Sequence, residues 1–524
     1  MSMMDDFLGR ITGRKIGEIY FRLSYSTRID LGDLAIAEDA ETGIKFYLRV
    51  VDISYGAEGA DLGWFERTAG NLMLLDESED EYGLFEKERR LYKIARCNLL
   101  GYSRDDRFFK PKTIPSHFTR VRRPQGKDFD FLKSLGANLL FSRLRSGESV
   151  LDFEIGISSK SVASHIGVFA TTGMGKSNLM KRLAGSILEN GNVGLLIFDP
   201  HGEYFDGGGE AHLKGLIHHA MADQNLRIYS SRPLERRYQK LQISASEIVP
   251  EDLNHIYEFS EAQHEALSAL SYRFGKNWLS ELRASDISEL SQRITTQGGF
   301  AESTLGVLKR RAESLLKQNY IHTDSEVSTS RNIIEKLKDG KVALVDSSNL
   351  TTRDELLIGS VLCRAVFHHY RSLYSRPDDF KHVTPILVAI EEAQRVLRKS
   401  SGGFANIFAR IAREGRKFKI GLCAITQQPK LIDEELLSQF NTFLILGLAD
   451  ESDRQIIRSS SKQDISDLGT EIQMLSAGEA LITSPEVPFA LPVKIDLYEE
   501  YLKKAEAHYH KSERKTSSVD EEFF

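Results

Sequence analysis

Residues Ile166-Gly167-Val168-Phe169-Ala170-Thr171-Thr172-Gly173-Met174-Gly175-Lys176-Ser177 constrain this chain more than any other stretch. An apolar run stops at Ala170, a short glycine-bearing loop follows, and Gly175-Lys176-Ser177-Asn178 opens a helical pattern. Strand, loop and helix in that order are what a phosphate-binding loop requires. Backbone N–H groups across Thr172, Gly173, Met174, Gly175 and on to Asn178 can turn inward around β- and γ-phosphate oxygens. The positive end of the new helix faces the same point. Lys176 adds a mobile point charge for the terminal phosphates, and Ser177 a hydroxyl for Mg²⁺. The usual pattern begins with Gly where this chain has Ala170; alanine is the smallest replacement and costs little at negative φ.

At 524 residues the chain has room for two or more domains. Its formal net charge of −6 advertises no nucleic acid partner globally, so any DNA contact must come from a local basic surface or a pore. Cys97, Cys363 and Cys423 are far apart and odd in number, which excludes a disulfide framework and a metal spacing and suits a reducing cytoplasm. No run approaches the roughly 18 apolar residues of a membrane span, and the first residues do not read as a signal peptide. A cytoplasmic protein without a membrane partner is expected.

Two textures follow one another along the chain. Residues 16–24, 32–37, 45–53 and 94–102 are short apolar segments separated by Asp and Gly turns. They predict a small β-barrel or sandwich, with a helix somewhere in 57–88. Residues 120–126, basic and then Pro- and Gly-bearing, read as a linker. From about 130 strands alternate with helices, the pattern of a parallel-rich α/β sheet covered on both faces. Its expected strands are 165–170, 193–198, 341–345, 386–390, 420–425, 442–446 and 479–482. Leu-, Ala-, Glu- and Arg-rich sequence over 250–330 predicts a helical insertion forming a subdomain on one edge. The expected division is therefore a barrel over 1–125, an ATPase-type domain over 126–500 and a tail over 501–524 that begins helical and ends disordered.

Three further constellations carry chemistry. The apolar strand ending in Ile390-Glu391-Glu392-Ala393 presents two carboxylates. In a phosphate-loop sheet the neighbouring strand delivers an acid to the magnesium shell, and a following acid can polarise the attacking water. Glu391 is assigned to the metal's water shell and Glu392 to the base, with the opposite order open. A second apolar strand ends in Asp199-Pro200-His201-Gly202-Glu203-Tyr204, where Asp199 either reaches the metal shell, orients the water, or caps a turn. Gln427, after the strand 420–425, is placed to hydrogen-bond the γ-phosphate or water. Arg410 and Arg413 share a helical face, and Arg416 falls at a turn after Gly415, well placed to reach across a subunit boundary. Arg395, Arg398 and Lys399 with Gly402-Gly403 form either a DNA-touching loop or a plain surface loop.

These motifs, in this order between Ala170 and Pro429, resemble the HerA family of hexameric DNA translocases in the FtsK–HerA branch of RecA-like ATPases. The matching residues are Ala170 to Ser177, Phe198 to Tyr204, Ile390 to Ala393, and Ile411 to Phe418 with Thr426-Gln427-Gln428-Pro429. The front segment is similar, more weakly, to that family's N-terminal HAS-barrel. The resemblance implies a RecA-like core, ATP and Mg²⁺ at the interfaces of a homohexamer, double-stranded DNA through the pore, and an arginine finger at Arg416. It also implies a separate partner, either a NurA-like nuclease for DNA end processing or a sirtuin-like or nuclease effector in antiphage defence. A ring scaffold that activates such an effector, with regulatory hydrolysis, is the alternative. Gln394 departs from a His common after the paired acids.

Overall fold

The computed structural model describes residues 6–13, 15–59, 63–75, 90–105, 107–209, 212–234, 238–294, 300–323, 328–399 and 406–505. At the front, Phe7–Ile11, Ile19–Ser24, Leu34–Glu38, Lys45–Ala57, Leu91–Arg104 and Arg120–Arg122 close a six-strand antiparallel barrel. Closure comes from the pairing of Ile19–Ser24 with Leu91–Arg104, and the short strand Arg107–Phe109 adds to the latter. Alternation explains the closure: Ile19, Phe21 and Leu23 point inward with Ala35, Leu48, Val50 and Ala95, while intervening residues face out. The basic stretch expected as a linker is in part a barrel strand, because Val121 fills the interior and Arg122 forks onto Asp128 with two bonds of 2.8 Å. The helix expected within 57–88 is Trp64–Leu75; the remainder of that stretch lies outside the described residues.

The second half is built on a mixed twelve-strand sheet. From one edge its order is Gln239–Lys240, Leu226–Ser230, Val342–Asp346, Gly194–Asp199, Ile386–Ile390, Ile420–Thr426, Ile166–Phe169 and Thr442–Ile445. It continues through Glu479–Thr483, Leu491–Lys494, Leu139–Ser146 and Ser149–Ile157. The strands up to Thr442–Ile445 are parallel; the last four are antiparallel. The central strands are buried at every position, with Ile166 and Val168 in the core on one face and Phe169 in that on the other. This burial on both sides is why they read as unbroken apolar runs.

Helices Glu261–Phe274, Trp278–Ala284, Ile287–Ile294 and Glu302–Leu316 form the helical insertion. Their Trp278, Leu282, Leu305 and Leu308 belong to the same core as Leu196, Val345 and the helix Thr352–Tyr374, so the insertion shares the sheet's core instead of building one of its own. Barrel and sheet are joined through a buried charge cluster: Arg49 of the barrel and Arg145 both bond Glu471 Oε1, at 2.9 and 3.1 Å. Residues 506–524, most of the expected tail, lie outside the described residues.

Candidate nucleotide site

The loop after Ile166–Phe169 is held between two parallel neighbours, with the Thr171 N–H bonded to the Gly447 carbonyl at 3.0 Å. Gly173 (φ +81) and Gly175 (φ +99) turn the chain through the left-handed region, which only glycine enters without strain. Nothing lies within 4 Å of where a Gly173 side chain would begin, so the inner wall is open. The helix Lys176–Asn190 starts there, with its first N–H groups unengaged within the helix and facing the loop. Lys176 Nζ lies 3.4 Å from the Ala170 and Thr171 carbonyls. Burial lowers its pKa, and Glu391, Glu392 and Glu203 pull it back up, so these four charges share one pocket.

The strand bearing the paired acids is not the phosphate loop's neighbour, as expected from sequence. Ile420–Thr426 lies between them. That insertion puts Gln427 midway and lets a hydrogen-bond chain form. The Thr172 hydroxyl donates to Gln427 Oε1 (2.6 Å), and Gln427 Nε2 donates to Glu392 Oε1 (3.4 Å). From the other side the Thr426 hydroxyl donates to Gln394 Oε1 (2.6 Å), and Gln394 Nε2 to Glu392 Oε2 (2.6 Å). Glu392 itself sits at φ +49, a conformation costing about 1–3 kcal/mol for a side-chain-bearing residue. Two side-chain amides thus aim a strained carboxylate toward the loop.

Glu391 is held differently. The Tyr204 hydroxyl donates to its Oε1. Burial raises its pKa, Tyr204 and Lys176 lower it, and Glu203 and Glu392 raise it again. Tyr204 in turn is fixed by Asp199, whose Oδ2 accepts the N–H groups of Tyr204 (3.1 Å) and Phe205 (2.8 Å). Asp199 is fully buried, and burial pushes its pKa up to about 7. Oδ2 of Asp199 thus makes the turn cap that was one of its expected roles and positions Tyr204, while Oδ1 is buried with no hydrogen-bond partner among the described residues.

The Asn178 side chain bonds the Asp496 carbonyl (3.1 Å) and the Tyr498 N–H (2.8 Å), which leaves its backbone N–H, the group expected to serve the loop, at the helix start. Met174 is half-buried, and its carbonyl accepts the Gly478 N–H at 3.1 Å, which pins the loop from outside. Ser177 is half-buried at the helix start. Ser177, next to Lys176 in the chain, and Glu391, whose charge acts on Lys176, suit a magnesium ion that keeps most of its water and takes few protein ligands. Among the described residues there is no dedicated cluster of three or more His, Cys, Asp or Glu for a metal.

Arg416 stands apart. It lies on the single turn Gly415–Phe418 before Ile420–Thr426, at the amino end of the strands, while the loop and acids are at the carboxyl end. Seven strand residues separate the two ends, on the order of 20 Å. Arg410 pairs with Glu414 (3.7 Å) and Arg413 with Glu435 (3.0 Å), but Arg416 is exposed and has no ion pair among the described residues. Its close neighbour is His165, whose pKa is pushed down to about 4 by burial and then by the Arg416 charge. Arg395, Arg398 and Lys399 are exposed just beyond the acids; Ser400 to Phe404 of that proposed loop lie outside the described residues. Sequence reasoning missed Tyr204 and Gln394 as site supports; the polar residues directly after each apolar strand were the available signal.

Comparison with known proteins adds four findings. The family described as "Helicase HerA, central domain" matches residues 142–366. A DNA double-strand break repair helicase HerA from Sulfolobus acidocaldarius is 30% identical over 77% of this chain and 78% of its own length. A second, from Saccharolobus solfataricus, is 29% identical over 82% of this chain and 84% of its own. Among solved structures, the bacterial conjugative coupling protein TrwB is similar over 71% of this chain and 91% of its own, with TM-score 0.45 and 15% identity.

Proposed function

The chain belongs to the HerA family of ATP-dependent helicases, and from that premise we propose that it works as a homohexameric ring motor on double-stranded DNA. The loop N–H groups from Thr172 to Asn178 and Lys176 hold the β- and γ-phosphates of ATP. Ser177 and Glu391 would hold Mg²⁺, Glu391 by way of the ion's bound water. When bound, the ion neutralises charge on the β- and γ-phosphate oxygens. Glu392 takes the proton of the attacking water, and Gln427 reports the γ-phosphate to the chain through Thr172 and Glu392. The neighbouring copy's Arg416 completes the site.

One observation carries this reading. Lys176, Glu391, Glu392 and Gln427 converge at one edge of the sheet, while Arg416, without an ion pair among the described residues, sits at the opposite edge, on the order of 20 Å away. An arginine that cannot reach its own site but is exposed for another is what a shared interface requires. Exposed Arg395, Arg398 and Lys399 grip DNA phosphates without reading bases. A separate nuclease or defence effector docks on the barrel, in DNA end processing or antiphage defence, within the cytoplasm. Among the described residues no helix is long and apolar enough to cross a membrane.

The test is the ATPase rate with and without duplex DNA, with Lys176→Ala and Glu392→Ala as controls. Strong stimulation by DNA, lost in both variants, is the expected result. A wild-type rate indifferent to DNA would sink the motor and favour a scaffold with regulatory hydrolysis.

A further inference from the structure

The outer face of the barrel carries charge that neither the nucleotide site nor the core uses. Arg10 lies directly opposite Arg22 on one neighbouring strand and opposite Arg120 on the other. Residues opposite each other on adjacent strands share a face, with Cβ atoms about 4.5–5.5 Å apart. All three arginines are exposed, while Leu8, Phe21 and Val121 of the same strands fill the interior. They stand abreast across Ile19–Ser24, Phe7–Ile11 and Arg120–Arg122, strands that contain no acidic residue.

The acids that border this row sit at its ends. Glu58 lies 3.7 Å from Arg22, and Glu38, opposite Arg120, is paired with Arg122 at 3.4 Å. Arg10 and Arg120 have no ion pair among the described residues; Arg10 donates to the Phe118 carbonyl and Arg120 lies over the Phe7 ring. Like charges directly opposite each other destabilise a sheet. In a chain of net charge −6, three such arginines side by side are the signature of a surface built to meet an anion.

Aromatic rings are interleaved with the row. Arg120 is 5.2 Å from the centroid of Phe7, and Arg22 is 4.1 Å from that of Tyr92. Phe118 is 65% exposed and sits at φ +65, a left-handed conformation that bulky residues rarely adopt. Its carbonyl accepts Arg10 Nη1 (2.8 Å) and its N–H donates to the Ile11 carbonyl (2.9 Å), which fixes its backbone beside the row.

We propose that this face of the barrel binds single-stranded DNA, with Arg10, Arg22 and Arg120 on its phosphates and Phe118 and Phe7 against its bases. Guanidinium groups suit phosphate oxygens, and exposed rings offer a stacking surface to bases that a duplex keeps stacked within itself. The assignment rests on the barrel face alone and not on the motor reading.

The probe is labelled oligo-dT, titrated against the full chain without nucleotide across a range of salt. In the triple variant Arg10→Gln, Arg22→Gln, Arg120→Gln the affinity should fall about tenfold or more. The slope of log affinity against log salt should become shallower by about 2, from three phosphate contacts at about 0.7 each. Phe118→Ala should weaken binding about fivefold with the slope unchanged, as loss of a stacked base does. Absence of oligo-dT binding by the wild type overturns the site. So does binding kept in the triple variant but lost in Arg395→Gln, Arg398→Gln, Lys399→Gln, which places the strand on the motor. A loss for duplex DNA as large as that for oligo-dT overturns the single-strand assignment. Should the triple variant fail to fold, photo-crosslinking of wild type to a 5-iodouracil oligonucleotide decides. Adducts on Phe7, Tyr92 or Phe118 support the site, and adducts confined to other residues overturn it.

Discussion

The two edges of the parallel sheet are built in opposite ways. At the carboxyl edge, polar side chains are knitted together: Thr172, Gln427, Glu392, Gln394 and Thr426 form one chain of hydrogen bonds, and Asp199, Tyr204 and Glu391 another. At the amino edge His165 is buried and neutral, while Arg416 is exposed without an ion pair among the described residues. On the proposed reading, a preorganised acid network with a bare cation a strand's length away is half of a site plus the complement of another's half. Preorganisation matters because fixed dipoles aimed at developing charge need no rearrangement during the reaction.

The largest effect expected of any single change is at the bare edge. Arg416→Ala should lower ATP turnover by roughly 10³-fold or more, the range for a trans-acting arginine in phosphoryl transfer. Mixing Arg416→Ala with Lys176→Ala subunits should restore part of the rate, because each supplies what the other lacks. No rescue at any ratio would break the comparison. Next comes Glu392→Gln, expected to cost about 10²- to 10⁴-fold in kcat with nucleotide binding retained, as loss of a general base does. If Glu391→Gln instead gives the larger kcat loss, the two acids exchange roles.

Much of the carboxyl edge was legible from sequence because phosphate chemistry demands particular residues at fixed spacing. The loop and the strand ends at Asp199, Glu391 and Gln427 could be found from apolar runs terminated by polar groups. What was not legible depends on strand order. The interposition of Ile420–Thr426 between loop and acids follows from long-range pairing, to which local periodicity is blind. The same limit hid the hairpin Leu139–Ser146 and Ser149–Ile157 at the far edge, and the role of Arg120–Arg122 in closing the barrel. Asp199 shows a third limit: an acid at a strand end reads alike whether it faces a ligand or caps a turn.

His165 sharpens the contrast at the amino edge through pH. Its Nδ1 accepts the Leu422 N–H (3.0 Å), a bond the protonated ring cannot accept, and burial with Arg416 nearby pushes its pKa down to about 4. The unfolded ring titrates near 6.5. The unfolded chain therefore binds the proton first, so stability is retained above about 6.5 and falls as pH drops toward about 4. Between pH 7 and 5 the loss from this one group is about 2 kcal/mol. Denaturant midpoints of wild type and His165→Gln across that range should converge toward low pH. Parallel profiles would mean that the ring carries no such penalty.

The smallest effect belongs to Tyr204, and it tests whether the carboxyl edge depends on its supports as well as on its acids. Tyr204→Phe keeps the ring in its buried place, only 2% exposed, and removes the hydroxyl that steadies Glu391. A hydrogen bond to a charged group is worth about 1.5–3 kcal/mol, part of which water can replace in a half-open site. The expected outcome is about a tenfold fall in ATP turnover (about 1.4 kcal/mol), with the thermal midpoint little changed. Because the lost hydroxyl also lowers the Glu391 pKa, the acid limb of the pH–rate profile should move to higher pH. An unmoved limb with a lower rate would make Tyr204 a packing residue, whereas a moved limb ties Asp199, Tyr204 and Glu391 into one positioning chain.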